Sequence, residues 1–542
     1  MYRHPRSVVD EVFTIWRSQG RFTKNPDMVR LPEGRLLLVY ADTDQHSSQE
    51  TQILTILASD DEGRTWYKKS EVDSADMREG DERFATPRLS LLKDGRLVVL
   101  IDHDDNGHFH QYQPSGNWAY WSTDGGTTWS EYQDTGIIGF EPDRIVELPD
   151  GHLVVASQVL MPEDQEFAEV LSCSDDKGKT WYLASTIAYD GYHRFCEGAI
   201  VLLDDGDLAC VMRENHSRGV PSFVTFSSDL GRTWSKPQRL PFAIHRPYAK
   251  QLPDGRVLVT GRHVNGPIGT FAWIGDLKAE SGSYRIGGPR GEYEAELTSE
   301  SLIIRNTKNP GCRYTLLPPE SSLSEVVMEA LVKVEGEQEE PVAFMSISHL
   351  GIVLRIAPRG IGTRPGVDFQ KNVDMSHYRR LTLHHKGGLL RVMVDGELVI
   401  SQCIFREDIP KYEWYGKGWF KSMTGFGESQ FGMTQFGELG DFGGSSHWRS
   451  FRYELHNRRI EDWRWEWKAD DNQWPDQYQR DRMIHIHANL FTEDHRPDHG
   501  YSSWLMLPDG RIILVDYTNA GDPMGQSHLV GAYLEPDILA IT

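Results

Sequence analysis

The sequence predicts an all-β protein: a six-bladed β-propeller with a β-sandwich (jelly roll) domain inserted between blades 5 and 6. Three observations predict it. An eight-residue turn motif occurs four times, apolar hairpins recur at the spacing of four-stranded blades, and a 255-residue gap of different texture separates the last two hairpin glycines.

The motif is Ser-x-Asp-x-Gly-x-Thr-Trp, at Ser59–Trp66, Ser122–Trp129, Ser174–Trp181 and Ser227–Trp234. Ser and Asp side chains bond backbone N–H groups in a turn, Gly takes a positive φ, and Trp anchors the turn in a core. The motif therefore reads as structural. The hairpins have apolar flanks and turn glycines at 34, 95, 151, 206 and 255, at spacings of 61, 56, 55 and 49 residues, and again at 510. That spacing suits one propeller blade per unit.

Between the fifth and sixth hairpins, residues 281–457 lack the turn motif and carry strand-like runs around Val326, Ile352 and Leu389. They read as a separate antiparallel sandwich, so that 1–280 hold blades 1–5, and 458–542 a return linker and blade 6. The stretch Gly437–Leu455 resembles the closing strand of a laminin-G or concanavalin-like domain. A lectin role and a spacer or cleft-wall role both suit such a module. Trp463, Trp465, Trp467 and Trp474 read as interdomain packing.

Composition narrows the function. With 57 Lys+Arg against 80 Asp+Glu in 542 residues, the net charge of −23 opposes binding to nucleic acid or an anionic membrane. Hydrophobic residues at 39% are enough to build a core. Cys173, Cys196, Cys210, Cys312 and Cys403 form no Cys-x-x-Cys pair, so neither a disulfide framework nor a zinc knuckle is expected. The N-terminal residues show no apolar signal region, which leads to the expectation of a cytoplasmic protein, or a secreted one if a leader has been removed.

In a propeller, residues at the start of each innermost strand and the end of the next converge on one mouth. Strand starts supply Lys24, Arg88, Glu141, Asp143, Glu197, Arg246 and Tyr501. Strand ends supply Asp42, Asp44, Asp102, His103, Arg213, Arg262, His263 and Asp516. Four arginines and a lysine at one mouth of an acidic protein suit an anionic ligand, and guanidinium forks suit a carboxylate. His485 and His487 alternate along a strand, followed by Asp494, His495, Asp498 and His499. These types can ligate a metal, but the reading assigns them to packing and solvent, with no metal or cofactor.

The four turn motifs, known as Asp boxes, and the six blade units resemble the sialidase (neuraminidase) superfamily. That resemblance implies a Tyr nucleophile with a Glu partner, an Asp acid/base and three arginines on a sugar carboxylate. The segment from Cys196-Glu197-Gly to Met212-Arg213-Glu resembles the one bearing the Glu and an arginine, Arg256-Val-Leu-Val-Thr-Gly-Arg262 the next arginine, and Gly500-Tyr501-Ser-Ser-Trp the nucleophile. The family's first-blade Arg-Ile-Pro stands here as Lys24-Asn25-Pro26, with Arg21 as an alternate cation. Asp44 is the first choice for the acid/base, with Asp42 and Glu50 as alternates.

The expectation is a retaining exo-glycosidase that releases a terminal acidic sugar. Tyr501, Glu197 and Asp44 would be catalytic, and Lys24, Arg88, Arg213, Arg246, Arg262 and His103 would hold substrate. Two alternatives stay open: a polysaccharide lyase on a uronic-acid glycan with Tyr501 or His103 as base, and a non-catalytic glycan-binding propeller.

Overall fold

The computed structural model describes residues 4–104, 116–161, 166–191, 193–215, 221–264, 269–283, 285–290, 294–306, 312–316, 324–337, 340–347, 352–364, 372–403, 434–438, 443–456, 462–488 and 498–540. Asp494 and His495 lie outside them.

Among the described residues, six antiparallel sheets of four or five strands repeat along the chain. Their inner strands are Phe22–Arg30, Arg88–Leu91, Val146–Glu147, Phe195–Leu202, Ile244–Gln251 and Ser503–Met506. Second strands such as Leu36–Thr43 and Leu153–Leu160 are almost wholly buried, because successive side chains pack against opposite neighbouring blades. Leu36, Leu38 and Tyr40 of blade 1 join a core with Ile513 and Val515 of blade 6. Leu37 and Val39 join one with Leu97 and Val99 of blade 2. Four further cores link blades 2 and 3, 3 and 4, 4 and 5, and 5 and 6, so the sheets form a closed ring. Blade 6 is completed by the N-terminal strand Phe13–Trp16, paired with His528–Leu534.

The Asp boxes do what their chemistry predicts. In the first, the Ser59 hydroxyl accepts the Gly63 N–H at 2.8 Å and Asp61 accepts the Thr65 N–H at 2.8 Å. Trp66 donates to the Gly63 carbonyl at 2.9 Å while packing on the blade 6–blade 1 core. Trp129, Trp181 and Trp234 pack equivalently on the next three seams.

The insertion point differs from the expectation. The chain leaves after the third strand of blade 5, Gly269–Gly275, and returns to supply that blade's outer strand, Met483–Ala488. The insert therefore interrupts blade 5 rather than separating blades 5 and 6. Blades 1–4 join their third and fourth strands through an Asp box; blade 5 has none, and the insert occupies that turn. It consists of a six-stranded and an eight-stranded sheet sharing one core, to which Val326, Met328, Leu354, Phe436 and Trp448 contribute. The strand Trp463–Lys468 pairs with Gly444–His456, so the insert runs past residue 457. Trp463 and Trp467 lie in its core, with Trp465 and Trp474 packed against it. Trp463 also meets the propeller through the Arg239 guanidinium, 3.8 Å above its ring.

Candidate functional site

Each inner strand slips register by one residue near its start. In blade 1, Lys24 faces Ala41 but Asp27 faces Val39; in blade 4, Cys196 faces Arg213 but Ala199 faces Val211; in blade 5, His245 faces Arg262 but Tyr248 faces Thr260. The same slip falls between Phe84 and Arg88, Phe140 and Asp143, and His499 and Ser503. A bulge re-aims the residue that opens it. The six bulge-opening residues are Asn25, Thr86, Glu141, Glu197, Arg246 and Tyr501. Asn25, Glu141 and Glu197 take φ of 55°, 52° and 52°, conformations that disfavour non-glycine residues and cluster at functional sites. Asp102 clamps two bulges, accepting the Thr86 and Glu141 N–H groups at 2.9 Å each. Gln158 accepts the Glu197 N–H at 2.7 Å.

The blade 4 and blade 6 residues meet. Tyr501 donates its phenol proton to Glu197 Oε1 at 2.6 Å, and Arg213 reaches the same oxygen at 2.8 Å. Burial alone would raise the Glu197 carboxyl, but the charges of Arg213 and Arg246 hold it well below its ordinary value. Burial, reinforced by the charges of Glu141 and Glu197, keeps the Tyr501 phenol protonated. Glu141 stands beside Glu197 and is driven the other way, upward, first by burial and then by the Glu197 charge. Glu197 Oε2 is buried without a hydrogen-bond partner on the side where Glu141 stands. Two neighbouring carboxyls with opposed shifts are the usual mark of an acid and a base.

Arg246 donates to Glu141 Oε2 at 3.1 Å and to the Pro142 carbonyl at 2.6 Å, with its guanidinium 5.8 Å from the Tyr501 ring centroid. Arg213 donates its other end to Asn215 at 2.7 Å. Arg262 donates to the His499 carbonyl at 2.9 Å and faces Asp498 at 3.8 Å. The charges of Arg213 and Arg262 oppose the rise at the Tyr501 phenol without reversing it. Lys24 donates to the His46 carbonyl, and burial pushes its amine down to about 8. Asp498, on blade 6, bonds His46 at 2.5 Å and accepts the Tyr517 hydroxyl at 2.7 Å.

The other expected residues sit elsewhere. Arg88 opens no bulge: it lies two residues beyond Thr86, buried among Arg246, Asp27 and Asp143. Asp44 accepts from Ser48, Gln49 and Glu50 within its own loop; burial would raise its carboxyl, but these bonds bring it below the ordinary value. A carboxylate held ionised suits a proton acceptor better than a donor. The alternates are engaged too: Arg21 bonds Asp42 at 2.5 Å, and Glu50 faces Arg78 at 3.7 Å. His103 pairs with Glu82 and stacks on Trp118 at 3.8 Å, all on blade 2. His485 stacks on Phe271 at 4.4 Å. His487 bonds Asp516 at 2.8 Å, and His499 bonds Thr270 at 3.0 Å, at the blade 5–6 seam.

Sequence reasoning collected Glu141 at the mouth without giving it a role. A signal was present: proline follows the bulge-opening residue in Asn25-Pro26, Thr86-Pro87, Glu141-Pro142 and Arg246-Pro247, which sets Glu141 in register with Glu197 and Tyr501.

Residues 74–266, from the end of blade 1 into blade 5, match the family described as BNR repeat-like domain. A sialidase of Clostridium perfringens is 22% identical over 348 residues, covering 56% of this chain and 80% of that protein. Among solved structures, a protein of unknown function from Dyadobacter fermentans is 19% identical, with 58% of this chain and 95% of that one covered and a TM-score of 0.44. A Hadza microbial sialidase is 19% identical over 52% of this chain and 63% of its own, with a TM-score of 0.40. A Trypanosoma rangeli sialidase mutant displaying trans-sialidase activity is 11% identical over 85% and 96%, with a TM-score of 0.36. Residues 74–266 are BNR repeat-like within a β-propeller fold, and the resemblance to the sialidase superfamily carried by the Asp boxes is borne out by these matches.

Proposed function

We propose that the protein is a glycoside hydrolase that releases a terminal acidic sugar with retention, using Tyr501 as nucleophile. The observation that carries this reading is the 2.6 Å bond from the Tyr501 hydroxyl to a Glu197 carboxylate held ionised by arginines. A phenol with a raised pKa is a poor nucleophile unless a base takes its proton as it attacks, and Glu197 is placed to do so. The use of Tyr in place of a carboxylate is the known sialidase exception among glycosidases. As the Tyr501 oxygen bonds the anomeric carbon, the glycosidic bond breaks and its oxygen takes a proton. In this reading the donor is Glu141 instead of Asp44, because burial and the neighbouring Glu197 charge favour its protonated form. Water then attacks the glycosyl-tyrosine, giving its proton to ionised Glu141, and Glu197 returns the phenol proton. Arg213 and Arg262, partly open to the mouth, would hold the sugar carboxylate.

One observation favours a neutral sugar instead. Arg213, Arg246 and Arg262 already serve Glu197, Glu141 and the His499 carbonyl, which leaves fewer free donors for a sugar carboxylate. A panel of aryl glycosides of acidic and neutral sugars separates the two readings, and trapping the glycosyl-enzyme shows whether Tyr501 or Glu197 carries it. An unsaturated uronate product, absorbing in the near ultraviolet, would overturn both in favour of a lyase. Glu141→Gln should abolish turnover of unactivated glycosides and spare substrates with good leaving groups; equal loss on both would remove Glu141 as the proton donor.

A further inference from the structure

The face opposite the mouth, where hairpin turns and Asp boxes lie, carries a repeated ion pair. In blade 1, Arg35, just after the hairpin glycine, bonds Asp60 at 2.6 Å, and Tyr67 donates to the same carboxylate at 2.9 Å. Asp60 follows the first serine of the Asp box, Ala58 precedes it, and Tyr67 follows the box tryptophan. Blade 3 keeps the acid and the phenol as Asp175 and Tyr182, 3.0 Å apart, but replaces Arg by His152 and Ala by Cys173. A pair of hard charges has become a thiol, an imidazole and a carboxylate, each with one ligand atom within 4.8 Å of the others.

We propose that His152, Cys173 and Asp175 form a zinc site on the third blade. The separations fit tetrahedral coordination. Zinc–sulfur bonds of about 2.3 Å and zinc–nitrogen or –oxygen bonds of about 2.0 Å set ligand atoms roughly 3.3–3.5 Å apart. Cys173 Sγ and His152 Nε2 each lie 3.6 Å from Asp175 Oδ1. The imidazole is also oriented for coordination. Asp150 holds its Nδ1 at 3.0 Å, which leaves Nε2 toward Asp175, and a carboxylate behind a histidine is the usual support of a metal-bound imidazole. Cys173 is buried, with its sulfur on the Asp175 side, and binding a cation there would release the thiol proton to solvent. His152 and Asp175 are solvent-accessible, so water would complete the coordination. Because the site stands at the far end of the blade from Tyr501, its metal joins the third-blade turn to the Asp box and takes no part in the reaction.

The full chain, freed of metal by chelation, is titrated with cobalt(II) as a spectroscopic stand-in. The expected result is one equivalent bound per chain with thiolate-to-cobalt charge transfer and tetrahedral d–d bands, release of the thiol proton, and displacement by zinc. The double variant His152→Arg/Cys173→Ala installs the residues that blade 1 already folds with, so it should keep its melting temperature and lose the thiolate bands. Asp150→Asn should weaken binding by about 10- to 100-fold. Absence of thiolate bands in the wild-type protein, or their survival in the double variant, would overturn the site.

Discussion

The protonation of Glu141 can be tested through stability, without a substrate. Glu141→Gln replaces a carboxyl that already carries its proton by a near-isosteric amide, whose N–H can donate to Glu197 Oε2 and whose oxygen can accept from Arg246. At about pH 5 the two proteins should therefore have nearly equal stability. A group raised in the folded state binds its proton more tightly there than in the unfolded chain. Its contribution is complete below the unfolded value of about 4.3 and is lost as pH rises toward the folded one. Across that window wild type should lose ground to the Gln variant by up to about 1.4 kcal/mol per pH unit, or roughly 2.7 kcal/mol between about pH 5 and about pH 7. Glu197 shifts the opposite way. Its contribution is present above about 4.3 and falls only in acid, so it adds no slope in this range. Urea denaturation of both proteins across the range measures the difference directly. A flat difference, or one that turns toward wild type with rising pH, would mean that Glu141 is ionised in the folded protein and is not a proton donor.

Three further outcomes follow from the same geometry. Tyr501→Phe should lower the chemical rate by about 10²–10⁴ while binding of a substrate analogue persists, measured by single-turnover kinetics and calorimetry. Gly63→Ala should cost roughly 2–4 kcal/mol, because φ is +90° and the added Cβ would stand 2.0 Å from Ile513 Cδ1. Gly255→Ala, at φ +86° with its nearest neighbour 4.0 Å away, should cost only about 1–2 kcal/mol by thermal melts. Replacing residues 284–475 by a short linker should leave a soluble propeller, since Tyr478 stays bonded to Trp273 at 2.9 Å. Ending the replacement at 457 should aggregate by light scattering, because the strand bearing Trp463 and Trp467 loses its partner.

Local chemistry determined the propeller. An Asp box closes through bonds among Ser, Asp, Gly, Thr and Trp within eight residues, and an apolar run with a Gly turn commits to a hairpin whatever lies around it. These signals placed the four boxed blades and brought Glu197 and Tyr501 to the same mouth. The insert was legible as a sandwich from alternation such as that of Glu325–Gly336. Its point of entry was not legible, because nothing in the local pattern of Met483–Ala488 says that its partner is Gly269–Gly275, about two hundred residues earlier. The bulges show the same limit at the scale of one residue. Sequence pattern located each strand start, but only the paired register decides which side chain turns over the axis, which is why Arg88 lies buried among Asp27 and Asp143 while Glu141 faces Glu197. Protonation is more remote still. Glu141 and Glu197 are the same residue type, and their opposed shifts arise from the arginines, the burial and the mutual charge that four different blades bring together.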